Sequence, residues 1–522
     1  MKVARALPLA AAAAAGAITV LGFAPFGVAP LPVVTLAVLF ALWQDAAPRA
    51  AAAQGFAFGV GLFGAGIAWI YIALETFGGM PTAIAILATA GLVAYMALWP
   101  ALAGYVAARM APASTVGRAI AAASAWTLTE WLRGYVFTGF PWLTVGYAQL
   151  PGSALAGYAP LGGVFVVSLA VALIAAMVAL AFDAVALGSR RCVILAAVVS
   201  LALLVGGSLA NRIEWTAPEG KPLAVSLVQG NVAQALKFDP KFREKTFAIY
   251  AELVEQSRGR LIVLPESAYP MFSDEVPDAV IMHLIRTVGA RRGDLLLGLF
   301  TAEAPAPGTS EPRYYNTVIS LGESELQLYR KRHLVPFGET IPGKAVFGWF
   351  IRNVLAIPLA DQTPGAAHQA PFAVAQTRVA VNICYEDAFG SELIDGARTA
   401  GFLVNVTNDA WYGRSIAAFQ HNQIAAMRAL ELGRPMLRAT NTGVTSAIAH
   451  TGRVIAKLPW FTRGVLEVSI DGRTGATPYQ VVGDVPALAL PALLLALVAW
   501  TARRRVVGSP DNARSLENRT VK

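Results

Sequence analysis

Seven long apolar runs fill the first 210 residues of this chain, and an eighth lies near its end. A helix crosses a bilayer with about 20 apolar residues, because its rise of about 1.5 Å per residue must span about 30 Å of hydrocarbon. The runs are Leu7–Phe23, Val28–Trp43, Gly55–Leu74, Thr82–Ala107, Ala119–Phe140, Leu161–Phe182, Cys192–Leu209 and Val485–Ala502. The first two are short, and the fifth carries Glu130 and Arg133. The chain as a whole is 56% hydrophobic and 14% charged, with a mean hydropathy of +0.55. That balance excludes an ordinary soluble protein. The pattern predicts a membrane portion over 1–210 with about seven transmembrane helices and a separate folded portion over 211–483. A C-terminal transmembrane helix over 484–502 and a tail over 503–522 follow.

The formal net charge is +9, but the basic residues form no single stripe, so no nucleic-acid partner is expected. They flank the apolar runs instead. Lys2 and Arg5 precede the first, and Arg49 lies between the second and third. Arg109 and Arg118 separate the fourth and fifth, Arg190 and Arg191 the sixth and seventh, and Arg503, Arg504 and Arg505 follow the eighth. With both termini in the cytoplasm, each of these sites falls on the cytoplasmic side. Residues 211–483 then lie outside the cytoplasm. The first run has a basic start and an apolar core, as a signal peptide does, but no clean small-residue cleavage site follows it. Glu130 and Arg133 are three apart and share a helix face. They read either as a neutralising pair near the helix end or as a contact for a lipid headgroup.

The central portion has another pattern. Short apolar runs read as strands: Leu223–Gln229, Arg260–Leu264, Leu295–Phe300, Tyr315–Leu321, Leu326–Arg330, Arg378–Ile383, Phe402–Thr407 and Val444–His450. Pro240–Gln256 and Ala417–Leu432 carry apolar residues at helical spacing. Strongly apolar strands alternating with helices predict buried sheets covered by helices. Ala304–Gly308 and Thr363–Ala366 read as loops.

Three of these strands end on chemically useful side chains. Cys384 follows Arg378–Ile383 and is the only cysteine outside the apolar runs; Tyr385, Glu386 and Asp387 come next. A buried structural thiol is the common alternative, but a strand-to-turn position followed by polar residues suits a nucleophile. A thiol is mostly protonated at neutral pH and needs a base. His283, His333, His368, His421 and His450 are scattered, and none sits at a strand end beside acids. Glu266, after Pro265 at the end of an apolar run, is the better candidate. Lys331, in the cluster Arg330-Lys331-Arg332-His333, supplies a cation for a developing oxyanion. Cys192 and Cys384 cannot easily pair, and no Cys/His cluster has metal-ligand spacing, so neither a disulfide framework nor a metal site is expected.

Taken together, Leu264-Pro265-Glu266-Ser267, the stretch from Tyr329 to Glu339, and Asn382-Ile383-Cys384-Tyr385-Glu386 resemble the Glu-Lys-Cys motifs of the nitrilase, or carbon–nitrogen hydrolase, superfamily. That resemblance covers roughly Pro222–Asp471 and implies an α/β fold, an αββα sandwich. Several N-terminal spans, an outer domain of this kind and one final span resemble the bacterial apolipoprotein N-acyltransferases, the membrane-embedded branch. The strings Gly22–Phe26, Glu130–Gly134, Gly139–Trp142, Val228–Asn231, Thr407–Trp411 and Arg438–Gly443 carry that likeness.

The resemblance implies a ping-pong transfer. Cys384 takes an acyl chain from a phospholipid, commonly phosphatidylethanolamine, as a thioester. The α-amine of a diacylglyceryl-cysteine apolipoprotein then accepts it. Glu266 is implied as proton acceptor and Lys331 as oxyanion stabiliser, with Glu339, Tyr385, Glu386 and Trp411 in support. Phe238 stands where the family often has Trp, which keeps an apolar contact and loses an indole hydrogen bond. No cofactor and no metal are expected. The expected location is the bacterial inner membrane, multi-pass and monomeric, with the catalytic portion on the periplasmic side. The apolar stretch Val346–Phe350 reads as a loop that admits acyl chains and excludes water, or as ordinary core. Two competing readings remain: a membrane-anchored amidase with water as acceptor, and an inactive scaffold. A transporter has only the Glu130–Arg133 pair in its favour.

Overall fold

The computed structural model describes residues 2–110, 114–305, 312–340 and 361–507. The apolar stretch Val346–Phe350, the tip of the Ala304–Gly308 loop and the C-terminal tail beyond Val507 lie outside the described residues. The chain divides into two compact units. One comprises Met1–Ala68, Ala90–Ile213 and Asp484–Lys522; the other comprises Trp69–Thr89 and Glu214–Gly483.

The second unit is built on two six-stranded sheets. The first sheet contains β1 (Thr216–Gln229), β2 (Leu261–Val263), β3 (Asp294–Glu303), β4 (Arg313–Gly322), β5 (Leu328–Arg330) and β12 (Gly464–Gly475), in the order β12-β1-β2-β3-β4-β5. The second contains β6 (Phe372–Val374), β7 (Thr377–Ile383), β8 (Phe402–Thr407), β9 (Met436–Thr440), β10 (Ser446–Ile448) and β11 (Val454–Lys457), in the order β11-β10-β9-β8-β7-β6. β1, β2 and β3 run parallel, as do β7, β8 and β9. Parallel neighbours need a crossover. The helices Arg243–Gln256, Asp278–Gly289, Gly390–Thr399 and Ala417–Leu432 supply the four.

Side-chain alternation along each strand sorts residues between two layers. Leu227, Val263, Leu296 and Val318 of the first sheet share one core with Val381, Ile383, Val404, Val406 and Leu437 of the second. The other face of the first sheet, through Ile262, Leu295 and Leu297, packs on Tyr250, Leu253, Leu284 and Val288 of two crossover helices. On the far side, Gly396 lets the helix Gly390–Thr399 approach Ala380 of β7: an added Cβ would lie 2.9 Å from that of Ala380. The result is helices, sheet, sheet, helices. β6, β9, β11 and β12 and the helices Asp278–Gly289 and Gly390–Thr399 go beyond the elements read from apolar runs. β9 carries a charged residue, Arg438, in its middle, which breaks the apolar signal.

The first unit is helical. Its helices include Lys2–Thr19, Leu31–Trp43, Pro48–Gly66, Thr115–Arg133, Ala159–Ala186, Arg190–Ala210 and Val485–Val507. Gly16 and Gly61 bring the first and third of these into backbone contact; a Cβ on either would strike a carbonyl of the other helix. Among the described residues, three helices are long and apolar enough to cross a bilayer: Thr82–Met110, Ala154–Ala186 and Arg190–Ala210. The broken pair Pro48–Gly66 and Ile70–Phe77 makes a fourth if taken as one span. Ala6–Gly22, Leu31–Trp43 and Val485–Thr501 are shorter apolar helices.

Two runs depart from the sequence expectation. Gly55–Leu74 is not one straight helix, because the chain breaks after Gly66, and Trp69–Thr89 belongs to the second unit. Ala119–Phe140 is helical only to Arg133. There the chain turns back, and the Arg133 guanidinium donates to the carbonyl oxygens of Phe140 (2.7 Å) and Trp142 (2.6 Å). Glu130 accepts from the Val145 amide at 2.9 Å and lies 3.8 Å from Arg133. Both charges are therefore buried among polar partners of the returning chain. Of the two sequence readings, this geometry favours the internal pair.

Candidate active site

Glu266, Lys331 and Cys384 each lie just past a strand. Pro265 lacks an N–H and cannot continue the β2 ladder, so the chain turns there and leaves Glu266 at the sheet end, 6% exposed. Its Oε1 accepts from Asn316 Nδ2 at 2.7 Å and from Lys331 Nζ at 3.3 Å. Lys331 follows β5 and is 1% exposed. Its amide donates to the Asn316 carbonyl oxygen at 2.8 Å, and its Nζ donates to Glu339 Oε1 at 2.7 Å. Burial alone would lower the Lys331 pKa. The charges of Glu266, Glu339 and Cys384 outweigh it and hold the ammonium well above its ordinary value. The site thus keeps a fixed cation.

Cys384 is held in the left-handed region, at φ +54°, and opens the 3-10 turn Cys384–Ala388. Such a conformation is costly for a residue with a Cβ and persists only where its surroundings over-determine it. Glu386 does much of that. Its carboxylate accepts from the amides of Ile383 (2.6 Å), Arg332 (2.5 Å) and His333 (3.2 Å) and from the Tyr329 hydroxyl (3.1 Å). One side chain thereby ties the Lys331 segment to the Cys384 turn. Burial pushes the Glu386 pKa up to about 7 against the lowering effect of those amides. Tyr385 packs edge-on against His333 and Phe389. The Cys384 thiol is 7% exposed. Burial, then Glu266, push its pKa well up, while Lys331 works the other way. A thiol so placed stays protonated at neutral pH, and it reacts only with a base beside it.

Behind the turn lies a charge network that sequence reading missed. His421 Nδ1 bonds Asp409 Oδ1 at 2.7 Å, and its Nε2 bonds Asp387 Oδ1 at 2.9 Å and faces the Cys384 carbonyl oxygen at 3.3 Å. Arg438 donates to Asp387 (2.9 Å), Asp409 (3.2 Å) and Asn405 (2.6 Å), and Asn405 donates to the Cys384 carbonyl oxygen at 3.1 Å. In sequence His421 has no adjacent acid; the fold brings two to it from separate turns. Burial and Arg438 push the His421 pKa down, but Asp387 and Asp409 outweigh them and raise it to about 9. The imidazolium therefore favours the folded state. That contribution is complete below about pH 6.5 and is lost as pH rises through about 9. The expected result is a melting temperature that falls more steeply between about pH 6.5 and 9 in the wild type than in a His421→Gln variant. Equal slopes in the two proteins, measured by thermal unfolding, would remove His421 from this role.

Other residues singled out in the sequence lie around this centre. Glu339 bonds Lys331 and, through Oε2, accepts from the Val335 amide at 2.9 Å. Phe238 is half-buried and caps the short helix Gln234–Lys237. Trp411, half-buried in the turn Asp409–Tyr412, meets Phe77 edge-on at 6.3 Å, and Trp69 meets Tyr412 at 4.5 Å. Trp69 also donates to Gln420 at 3.2 Å. The segment after Gly66 thus supports the turn that carries Asp409. Beside Phe238, Lys237 is 3% exposed and its Nζ donates to the Glu266 carbonyl oxygen at 3.0 Å. The sequence reading singled out its neighbour Phe238 but not Lys237 itself. Among the described residues no group of three or more His, Cys, Asp and Glu side chains is placed to hold a metal ion.

Two facing sheets between helices, with a buried carboxylate, lysine and cysteine at their strand ends, define a carbon–nitrogen hydrolase domain, and residues 224–479 match the family model described as Carbon-nitrogen hydrolase. Residues 15–177 match the model of the Apolipoprotein N-acyltransferase N-terminal domain. The apolipoprotein N-acyltransferase of Nitrosomonas europaea is 49% identical, over 96% of this chain and 99% of its own. That of Methylococcus capsulatus is 41% identical, over 95% and 96%. A solved carbon-nitrogen hydrolase from Helicobacter pylori G27 is 16% identical, with a TM-score of 0.35, over 54% of this chain and 94% of that one. The chain belongs to the apolipoprotein N-acyltransferase family and is an acyltransferase.

Proposed function

We propose that this enzyme acylates the N-terminal diacylglyceryl-cysteine of apolipoproteins through a thioester on Cys384. The observation that carries the reading is the buried pairing of Glu266 with Lys331, whose segment Glu386 ties to the Cys384 turn. Glu266 takes the Sγ proton, and the thiolate attacks an ester carbonyl of a phospholipid, phosphatidylethanolamine being the expected donor. The tetrahedral oxyanion forms beside Lys331. Its collapse breaks the ester C–O bond, and the departing alkoxide takes the proton from Glu266 as lysophospholipid. The acceptor amine then attacks the thioester and gives a proton to Glu266. Collapse releases the amide and a thiolate, which takes that proton back. Glu339 anchors Lys331, Glu386 and Tyr385 hold the turn, and Phe238 and Trp411 supply apolar walls. Incubation with phosphatidylethanolamine alone should add one acyl mass to the protein, on the peptide containing Cys384. A chain that never gains that mass does not work this way.

The setting belongs to the same proposal. The helices of residues 1–210, about seven, and the segment 484–502 lie in the inner membrane of a bacterium. Residues 211–483 stand on the periplasmic side and 503–522 in the cytoplasm, and the enzyme works as a monomer. Ile194 and Leu201 support the bilayer reading, since both stand 62% exposed on an apolar helix and would be costly in water. Topology reporters fused after Arg49, Arg118 and Arg191 should read cytoplasmic, and one near Gly308 periplasmic. A cytoplasmic signal at Gly308 would overturn the placement.

A further inference from the structure

Lys237 stands apart from the groups used so far. It closes the short helix Gln234–Lys237, and that helix is pinned to the second sheet. Asn441, just past β9, accepts from the Val232 amide at 2.9 Å, donates to the Val232 carbonyl oxygen at 2.8 Å, and its own carbonyl oxygen accepts from the Asn231 amide at 2.9 Å. Asn408 donates to Gln234 Oε1 at 2.8 Å. The lysine at the end of this braced loop is therefore a fixed group, not a mobile surface side chain. Among the described residues its ammonium donates to the main-chain oxygen of Glu266 and pairs with no carboxylate. A buried ammonium with no direct carboxylate contact is expensive. Packing alone would be served there by Met or Leu at no desolvation cost.

We propose that Lys237 is a second, positioning cation of the site: it fixes the main chain that carries Glu266 and adds positive charge where negative charge builds at Cys384. The inference rests on the thioester reading above. The groups whose negative charge favours its ammonium stand at two strand ends, Glu266 past β2 and Cys384 past β7. Burial lowers its pKa, the charges of Glu266 and Cys384 oppose that, and the result is about 8. Lys331, held well above its ordinary value, stays charged throughout. Lys237 is then the cation of the pair that is lost just above neutrality. Loss of its proton removes charge at the site without removing the side chain.

The test measures the rate of adduct formation on Cys384 by intact mass. It uses the full-length enzyme and phosphatidylethanolamine vesicles, with no amine acceptor, so that titration of the acceptor plays no part. The wild-type rate should fall as pH rises through about 8. Lys237→Met should lose roughly ten- to a hundredfold at pH 7, less than the loss typical of a donor that touches the oxyanion itself. Lys237→Arg, charged at every pH used, should retain activity and lack the alkaline fall. A wild-type rate that is flat or rising from pH 7 to 9 overturns the inference, whatever the variants do. So does Lys237→Met at the wild-type rate, or Lys237→Arg with the wild-type profile. No adduct on the wild-type protein at any pH would instead overturn the thioester reading on which this inference depends.

Discussion

Cys384→Ser should leave a folded protein that never acquires an acyl adduct, with transfer reduced by on the order of 10⁴-fold or more. The smaller oxygen fits where sulfur did, and the strained turn is held by Glu386, Asn405 and His421 rather than by the thiol. The fold therefore tolerates the change. The chemistry does not, because an alkoxide is far harder to form than a thiolate at the same place. Burial and Glu266 already make the thiolate costly, so a weaker acid in that environment stays protonated. Cys192 lies on the helix Arg190–Ala210 in the other unit, and Cys192→Ser should react as wild type does. The measurement is intact mass after incubation with phospholipid, with melting temperature as the folding control. Substantial transfer by Cys384→Ser would rule out the covalent route.

Glu266→Gln and Lys331→Met should each slow adduct formation by on the order of 10²–10³ or more, and the double variant should be little slower than either. Glutamine keeps an oxygen for Asn316 but cannot take the thiol proton. Methionine keeps the length of Lys331 and removes its charge, which leaves Glu266 and Glu339 facing one another without the cation between them. Like charges in a buried site repel one another. Lys331→Met should accordingly melt lower than wild type, and adding Glu266→Gln should restore part of that loss by removing one of the two carboxylates. In the double variant stability then recovers in part while activity does not. Rates that multiply, with both single variants still forming adduct briskly, would separate Glu266 and Lys331 from Cys384.

Much of this arrangement is legible along the chain because the relevant signals are local. A run of apolar residues is a helix or a buried strand wherever it lands, so β1, β2, β3, β4, β7 and β8 and the helix Ala417–Leu432 follow from composition and period. Polar side chains at the ends of apolar strands stand out for the same reason, which is how Glu266, Lys331 and Cys384 are found. The edge strand β12 hides because five of its twelve residues are exposed and only three are buried. The internal strand β9 hides because Arg438 interrupts it, and that charge is tolerable only with Asp387 and Asp409 beside it.

The sequence by itself determined the kinds of element, the apolar runs and the three reactive side chains. Tertiary structure alone decided which distant groups meet them. Lys237 and Glu266, Tyr329 and Glu386, and His421 with Asp387 and Asp409 are pairs that no spacing announces, because the partners sit on separate elements that only the fold brings together. Only tertiary structure, too, showed that the fifth apolar run turns back at Arg133, where two carbonyl groups of the returning chain receive the guanidinium. The reason is the same in each case. Apolar burial depends on the residue and its period, but a buried charge is stable only beside a specific partner, and that partner is fixed by the fold.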